Sequence, residues 1–288
     1  MDATFSAYAN VFKLRIGVAI MACALAGLAV TQGETLAAWK VAVLAVCVLA
    51  ASAAAGAFNQ YAERALDARM PRTAGRPFAN GTFRADWRWL AVIAGILLAS
   101  VGAAGLALNG YVALYVFLGA FFYGVVYTIW LKQRTAWNIV IGGLAGSFAV
   151  LAGASAADPA IGPAGLLLAL VLFLWTPPHF WSLAMALRDQ YEAANVPMLP
   201  VVIGDAATAK IILVHTIALV AISIAAAFYG LGLIYLSAAV LGGLFFIWRS
   251  LQLAARPGPR RAMANFVASL AQLGLLLTAA MAEGWLAG

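Results

Sequence analysis

The run VAVLAVCVLAASAAAGAF, residues 41–58, holds eighteen consecutive residues without a charge. A helix of about 18 to 20 apolar residues is long enough to cross the hydrocarbon core of a bilayer. Similar runs recur along the 288-residue chain, in which 65% of residues are hydrophobic, 9% are charged and the mean hydropathy is +0.97. This composition excludes an ordinary soluble domain. Because the runs lack a period of two, they also argue against an outer-membrane barrel.

Apolar windows of about 19 residues predict nine membrane-spanning helices. Their predicted positions are 15–33, 38–59, 89–108, 111–131, 138–157, 162–185, 210–229, 232–250 and 264–286. The sequence therefore predicts an all-α integral membrane protein, a bundle of nine transmembrane helices that forms one polytopic domain over residues 1–288.

The positive charges predict the orientation of this bundle. With a cytoplasmic N-terminus, sixteen of the seventeen Lys and Arg residues fall in inner segments, and only Lys40 lies outside. Cytoplasmic loops of membrane proteins carry such an excess. The long polar segments 60–88 and 186–209 are both inner, so we expect the active-site loops on the cytoplasmic side. The net charge of +7 is thereby assigned to topology and lipid phosphates, with no nucleic-acid partner.

Two further features of the sequence are a possible N-terminal signal peptide and two cysteines. Lys13 and Arg15 before an apolar run also resemble a signal peptide, but cleavage would leave eight spans, so we favour an uncleaved first helix. Cys23 and Cys47 lie inside apolar runs without metal-binding or disulfide spacing and are expected to be small core residues.

Three oxygen donors, Asn59, Glu63 and Asp67, recur every four residues where the second predicted span ends. At about 100° per residue they lie within an arc of roughly 80° on one helical face. Proteins usually bind Mg²⁺ through one or two carboxylates together with substrate phosphates, and Arg72 and Arg76 follow closely with guanidinium groups suited to phosphate. The pattern predicts a magnesium and diphosphate site. The alternative is a solvated helix end with i,i+4 ion pairs.

A proline pair marks the end of the sixth predicted span. Pro177 and Pro178 are expected to break or kink this helix, which is tolerated at membrane depth where the backbone lines a cavity. His179 beside them is a candidate to ligate a cofactor or orient a substrate, and the alternative is a packed core histidine. His215, inside the seventh predicted span, is expected to be structural.

A second acidic cluster follows in the next inner loop, at Asp189 and Glu192. Asp67 and Asp189 stand in similar places relative to two spans four helices apart, so a loose internal repeat with the ligand between its halves is consistent with the pattern.

Several motifs together resemble the UbiA-type intramembrane prenyltransferases. They are Asn59-x3-Glu63-x3-Asp67, MPRT at 70–73, Arg76-Pro77, LKQRT at 131–135 with NIVIGG at 138–143, WTPPHFW at 175–181, and Tyr191-x2-Ala194 with PMLPVV at 197–202. The last run is the most specific. Within the family it looks most like the branch that farnesylates protoheme IX.

The resemblance implies a magnesium-dependent enzyme of the cell membrane. It would transfer a farnesyl group from farnesyl diphosphate to a vinyl group of protoheme IX (heme B) and form heme O by ionisation of the diphosphate. It would meet membrane lipid and, in addition, a protein partner in heme delivery or in the downstream formation of heme A. The implied metal ligands are Asn59, Glu63, Asp67, Asp189 and Glu192; the implied diphosphate contacts are Arg72, Arg76, Lys132 and Arg134; and His179 is carried over as a candidate heme contact.

The sequence departs from the family pattern at three places. Glu63 stands where many relatives have Asp, and Gln190 stands where Asp is usual, so Asp189 or Glu192 must supply the acid there. Residues 147–150 lack the usual paired prolines.

Two other functions are weighed against this one. A related enzyme could prenylate another acceptor, such as a quinone precursor or a tetrapyrrole alcohol. A transporter could use Asn59, Glu63 and Asp67 as a cation-coupling site, but no relay of ionisable residues crosses the predicted spans.

Overall fold

The computed structural model describes residues 3–287, and within them it is built from helices without strands. The helices are α1 Ala3–Val11, α2 Leu14–Val30, α3 Ala38–Asp67, α4 Trp87–Ala107, α5 Gly110–Phe121 with a π-helical continuation Phe122–Leu131, α6 Asn138–Gly142, α7 Leu144–Ala157, α8 Pro163–Ala186, α9 Arg188–Ala193, α10 Leu199–Ile203, α11 Asp205–Ala226, α12 Gly232–Ala255 and α13 Pro259–Ala287.

The long helices identify a multi-pass membrane protein. Seven helical stretches are long and apolar enough to cross a membrane, and an eighth is added if α1 and α2, bent by 51°, form one span. The stretch Asp205–Ala255 counts once in this total, although its backbone leaves helical geometry at Tyr229 and Gly230 and α11 and α12 pack against each other.

The helices form two groups that meet along two seams. In the first, α2 packs on α3 and α7, and α4 and α5 complete the group; in the second, α8, α11, α12 and α13 contact one another in turn. The seams are α7 against α8 and α2 against α13. Such an arrangement buries the small apolar side chains of α2, α3 and α7 against each other, since membrane helices gain their packing from close approach.

Glycines allow the closest of these approaches. A Cβ at Gly153 of α7 would overlap the Ala24 carbonyl of α2, and one at Gly27 of α2 would overlap the Val150 carbonyl of α7. The two backbones are therefore in direct contact, as small-residue interfaces permit.

Of the two predicted effects of the proline pair, a break or a kink in the sixth span, the break does not occur, because α8 runs unbroken from Pro163 to Ala186 with Pro177 and Pro178 inside it. The Thr176 hydroxyl donates to the carbonyl of Leu172 at 2.9 Å, and α8 is held between α11 and α13. Neighbouring helices and Thr side chains can keep a proline-containing membrane helix intact.

The polar inner segments are more ordered than the sequence predicts. The second predicted span was placed at 38–59, but α3 continues without interruption to Asp67. The segment 186–209 contains the short helices α9 and α10 rather than a simple loop. Glu63 and Asp67 of the first segment and Asp189 and Glu192 of the second therefore lie on helices, whereas residues 68–86 form turns.

A carboxylate holds the turn between α11 and α12. Oε2 of Glu283 on α13 accepts hydrogen bonds from the backbone N–H groups of Ile234 at 2.9 Å and Tyr235 at 3.3 Å. These belong to the first turn of α12, whose N–H groups have no partner within the helix. A side chain distant in sequence thus caps α12.

Candidate active site

The three predicted oxygen donors are all buried at the end of α3. Asn59, Glu63 and Asp67 are each exposed by 4% or less. A buried carboxylate is stable as an ion only when it is paired and hydrogen-bonded. Their partners therefore define the site.

Glu63 is paired with a lysine from the end of the π-helical segment. Lys132 Nζ lies 2.5 Å from Glu63 Oε2, and the two side chains are 13% and 3% exposed. The other carboxylate oxygen, Oε1, is buried without a hydrogen-bond partner among the described residues. Glu63 thus keeps one oxygen available for a further ligand.

Asp67 is paired with an arginine from the loop that follows α3. Arg76 Nη1 lies 2.8 Å from both carboxylate oxygens of Asp67. The Thr73 hydroxyl donates to the backbone carbonyl of Asp67 at 2.9 Å. The loop therefore folds back over the end of α3.

Asn59 is held from two sides. Lys13 Nζ donates to Asn59 Oδ1 at 2.5 Å and to the Tyr123 hydroxyl at 2.8 Å. Asn59 Nδ2 donates to the Thr128 hydroxyl at 2.9 Å. Lys13 reaches inward from the break between α1 and α2, where its backbone is left-handed with φ 47°.

The π-helical continuation of α5 supplies the opposite wall. The Tyr123 and Tyr127 rings are stacked with centroids 5.9 Å apart. Lys132 Nζ lies 5.8 Å from the Tyr127 centroid, whereas Lys13 Nζ meets Tyr123 at the edge of its ring, 2.8 Å from the hydroxyl. A cation over an aromatic face within about 6 Å is attracted to it. π-helical turns are frequent at functional sites, and this one brings both tyrosines and Lys132 to the acids of α3.

The remaining predicted phosphate contacts lie at the surface around this core. Arg72 and Arg134 are exposed. Burial raises the pKa of the Tyr191 phenol on α9, and the positive charge of the nearby Arg72 opposes that rise. Arg72 therefore stands close to α9, while Arg134 is free to face solvent.

The predicted second acidic cluster does not join the first in this structure. Asp189 and Glu192 are exposed on α9. Across residues 3–287, no three His, Cys, Asp or Glu side chains are grouped to hold a metal. The acids of α3 instead form ion pairs with cations outside the helix, Glu63 with Lys132 and Asp67 with Arg76. These are not the i,i+4 pairs within the helix that the alternative interpretation predicted.

His179, the candidate heme contact, is packed inside the second helix group. Its ring lies between Trp175 and Phe266, at centroid distances of 4.1 and 4.5 Å. Its Nδ1 is 2.7 Å from the Ser269 hydroxyl on α13. His215, expected to be structural, packs edge-on against the Trp181 ring. In these positions both histidines serve helix packing.

Sequence reasoning missed four side chains of the site. Lys13 was assigned to topology alone, and Tyr123, Tyr127 and Thr128 were not singled out. The available signal was the spacing of Tyr123 and Tyr127, four residues apart and followed by Lys132, on a stretch that is otherwise apolar.

Comparison with known proteins places this site in a family. The sequence profile of the UbiA prenyltransferase family matches residues 20–276. The chain belongs to the UbiA prenyltransferase family. It is therefore an enzyme of prenyl transfer, as its motifs predict.

Within the UbiA family, the chain is similar to proteins with a named acceptor. It is 57% identical over 288 residues to protoheme IX farnesyltransferase 2 of Paramagnetospirillum magneticum, and the match covers 100% of both chains.

Two solved structures share the UbiA fold. A UbiA homologue from Aeropyrum pernix is 21% identical with a TM-score of 0.75, covering 92% of this chain and 98% of its own. One from Archaeoglobus fulgidus bound to DMAPP and Mg²⁺ is 14% identical with a TM-score of 0.70, covering 96% and 99%.

The residues of α3 fit a divalent cation in this chain. Asn59, Glu63 and Asp67 offer oxygen donors of the type that Mg²⁺ takes, and Glu63 Oε1 has no hydrogen bond within the described part of the chain. Three cationic side chains, Lys13, Lys132 and Arg76, hold the same oxygens. A metal cation bound there would replace the contacts that these three side chains make with the oxygens. Lys13, Lys132 and Arg76 would then be free to bind phosphate.

Proposed function

We propose that this enzyme transfers a farnesyl group from farnesyl diphosphate to a vinyl group of protoheme IX and so forms heme O. The acceptor and the transferred farnesyl group are those in the name of the full-length relative that is 57% identical. The observation that carries the proposal is the pairing of Glu63 with Lys132 and of Asp67 with Arg76. It gathers metal-binding acids and phosphate-binding cations at one place.

Asn59, Glu63 and Asp67 would hold the metal. Mg²⁺ would supply charge neutralisation on the departing diphosphate, as metal ions do for phosphate leaving groups. Asp189 and Glu192 are exposed on α9. We propose that they bind metal on the side of the diphosphate that faces away from α3. The number of ions then depends on whether these acids approach the site.

The cationic side chains would bind phosphate once the acids of α3 bind the metal. Lys132 and Arg76 would turn from carboxylate to phosphate oxygens, joined by Arg72 and Arg134. Arginine and lysine aimed at a developing negative charge stabilise the transition state. Lys13 is placed between Asn59 and Tyr123 to contribute a further charge at the membrane side.

The reaction needs no protein nucleophile. The bond between C1 of the farnesyl group and the diphosphate oxygen breaks, and the diphosphate leaves with the electron pair. The vinyl carbon of the heme then forms a bond to C1, and water adds to the resulting cation with loss of a proton. The face of the Tyr123 ring turned away from Tyr127, and that of Tyr127 once Lys132 turns to phosphate, would shield the farnesyl cation, since ring faces attract positive charge.

We place this site at the cytoplasmic side of a nine-span bundle whose N-terminus is inside. The distribution of sixteen of seventeen cations supports the orientation. The turn at Tyr229 and Gly230, which lets α11 and α12 pack side by side, supports counting them as two spans. His179 is retained as a heme contact only for a state in which α8 and α13 separate around it.

The test is mass spectrometry of heme after incubation of the purified protein with heme B, farnesyl diphosphate and Mg²⁺. A heme that carries a hydroxyethylfarnesyl group is expected, and it should vanish with EDTA or in Asp67→Asn. Asp158→Asn, on the opposite side of the predicted bundle, is the matched control. Unchanged heme from folded wild-type protein that still releases diphosphate with another acceptor would contradict the choice of heme.

A further inference from the structure

One tyrosine connects the second acidic segment to the end of α3. Tyr191 lies on α9 between Asp189 and Glu192, and it is 7% exposed. Its side chain belongs to a buried cluster with Leu66, near the end of α3, and Met70, in the turn that follows. Tyr191 therefore points inward, while the two acids beside it are exposed.

Backbone hydrogen bonds hold Tyr191 on both sides. Its N–H donates to the carbonyl of Leu187 at 3.3 Å, and its own carbonyl accepts from the N–H of Val196 at 2.9 Å. The second bond closes a turn in which Asn195 has a positive φ of 57°, a conformation that asparagine adopts more readily than most residues. The direction of the Tyr191 side chain is therefore set by the fold of α9.

The hydroxyl of Tyr191 accepts a hydrogen bond from the side chain of Arg72. Burial raises the pKa of this phenol, the positive charge of Arg72 opposes the rise, and Glu63 and Arg76 act on it more weakly. The phenol thus stands beside Arg72 and within range of the ion pairs of α3. Phenylalanine would fill the apolar cluster equally well, so packing alone does not account for the hydroxyl.

Arg72 needs such a partner if it is to bind phosphate from the surface. Its side chain is exposed, and an exposed arginine loses rotamer freedom when it binds a ligand. A partner that fixes the side chain beforehand lowers this cost of binding. Because a guanidinium has five N–H donors, Arg72 can give one to Tyr191 and keep the others for phosphate oxygens.

We infer that Tyr191 is a positioning residue, whose hydroxyl holds the Arg72 guanidinium toward the diphosphate. The inference rests on the proposed function, in which Arg72 contacts that group. Because Tyr191 stands between Asp189 and Glu192, the same hydrogen bond joins the second acidic segment to the loop that follows α3. Tyr191 touches neither the farnesyl group nor the acceptor and acts through Arg72 alone.

Calorimetric titration with farnesyl thiodiphosphate and Mg²⁺ in mixed micelles tests this inference without turnover. Tyr191→Phe removes the hydroxyl and keeps the ring, so its melting temperature without ligand should stay near that of the wild type. It should bind the analogue about tenfold more weakly, as expected for loss of one hydrogen bond to a charged group. Tyr115→Phe, a tyrosine of α5 stacked on Phe148 away from the site, is the matched control and should bind as the wild type does.

A double variant separates positioning from packing. Once Arg72→Gln has removed the guanidinium, adding Tyr191→Phe should weaken binding no further, because groups that act as one unit are not additive. In turnover, Tyr191→Phe should raise KM for farnesyl diphosphate and leave KM for heme unchanged.

Two results would overturn the inference: wild-type affinity in Tyr191→Phe, or losses that add in the double variant. The titration contains no acceptor, so it still decides the role of Tyr191 if heme is the wrong acceptor. That failure would be seen separately, as unchanged heme from wild-type protein that binds the analogue normally.

Discussion

The pairing of Glu63 with Lys132 can be measured as a free energy. Lys132→Met removes the charge and keeps most of the side-chain volume. It leaves Glu63, 3% exposed, as a buried carboxylate without its cation. Breaking a buried pair by removing one partner typically costs about 3–5 kcal/mol, and because Lys132 is itself 13% exposed we expect about 3 kcal/mol.

A double-mutant cycle separates this pairing from other effects of the substitutions. Glu63→Gln alone and the double variant Glu63→Gln/Lys132→Met complete the cycle, and the free energy of unfolding is measured in mixed micelles with EDTA. We expect a coupling of about 2 kcal/mol or more, since the double variant buries no unpaired charge. The surface pair Glu34–Lys40, 3.9 Å apart with side chains 72% and 29% exposed, is the matched control, and its coupling should stay below about 1 kcal/mol.

Magnesium extends the same experiment to the proposed metal site. The free energy lost in Lys132→Met should be partly regained with Mg²⁺, because a cation at Glu63 replaces the missing charge and binding to the folded state stabilises it. If the free-energy changes of Glu63→Gln and Lys132→Met simply add in the double variant in EDTA, the pairing is refuted. A Lys132→Met protein that Mg²⁺ does not stabilise would refute the metal site.

Three further predictions follow from the contacts. Asp67→Asn should lower heme farnesylation at least a hundredfold, measured by product mass spectrometry, and should also lower the melting temperature in Mg²⁺, because Arg76 loses its carboxylate partner; full activity would show that Asp67 does not belong to the site. Gly153→Ala should destabilise the α2–α7 contact by about 2 kcal/mol or more, because overpacking strains a close interface, whereas Gly146→Ala, with open space at its Cβ, should not; equal melting curves would contradict the close approach. Glu283→Ala should lower the melting temperature, since loss of a helix cap typically costs about 1 kcal/mol, and unchanged amide exchange at Ile234 would count against that cap.

Hydrophobic runs predicted where most helices lie, because crossing a bilayer imposes a length that can be read from sequence. They could not predict that α3 continues to Asp67, since the last residues of the helix are polar and lie beyond the apolar window. They also misjudged Pro177 and Pro178. α8 remains continuous through both prolines while packed between α11 and α13, which is a tertiary effect.

The spacing of Asn59, Glu63 and Asp67 predicted one polar helical face, because i,i+4 geometry depends on α3 alone. The partners of that face come from three other parts of the chain: Lys13, Arg76 and Lys132. No local pattern links them, and positive charges near membrane helices are common for reasons of topology. The resemblance had already named Arg76 and Lys132 as diphosphate contacts, but their pairing with these carboxylates, and the part played by Lys13, required the fold.

The π-helical segment Phe122–Leu131 makes the position of Lys132 depend on residue count. Its backbone bonds, such as Lys132 N to Tyr127 O at 2.9 Å, span five residues rather than four. Deleting one residue there would restore an ordinary α-helix and rotate all that follows by about 100°. Lys132 would then leave Glu63 while the helix itself survived. The loss of a single codon within this helix is thus enough to separate Lys132 from Glu63, so the number of residues in the segment matters to the site as much as their identity.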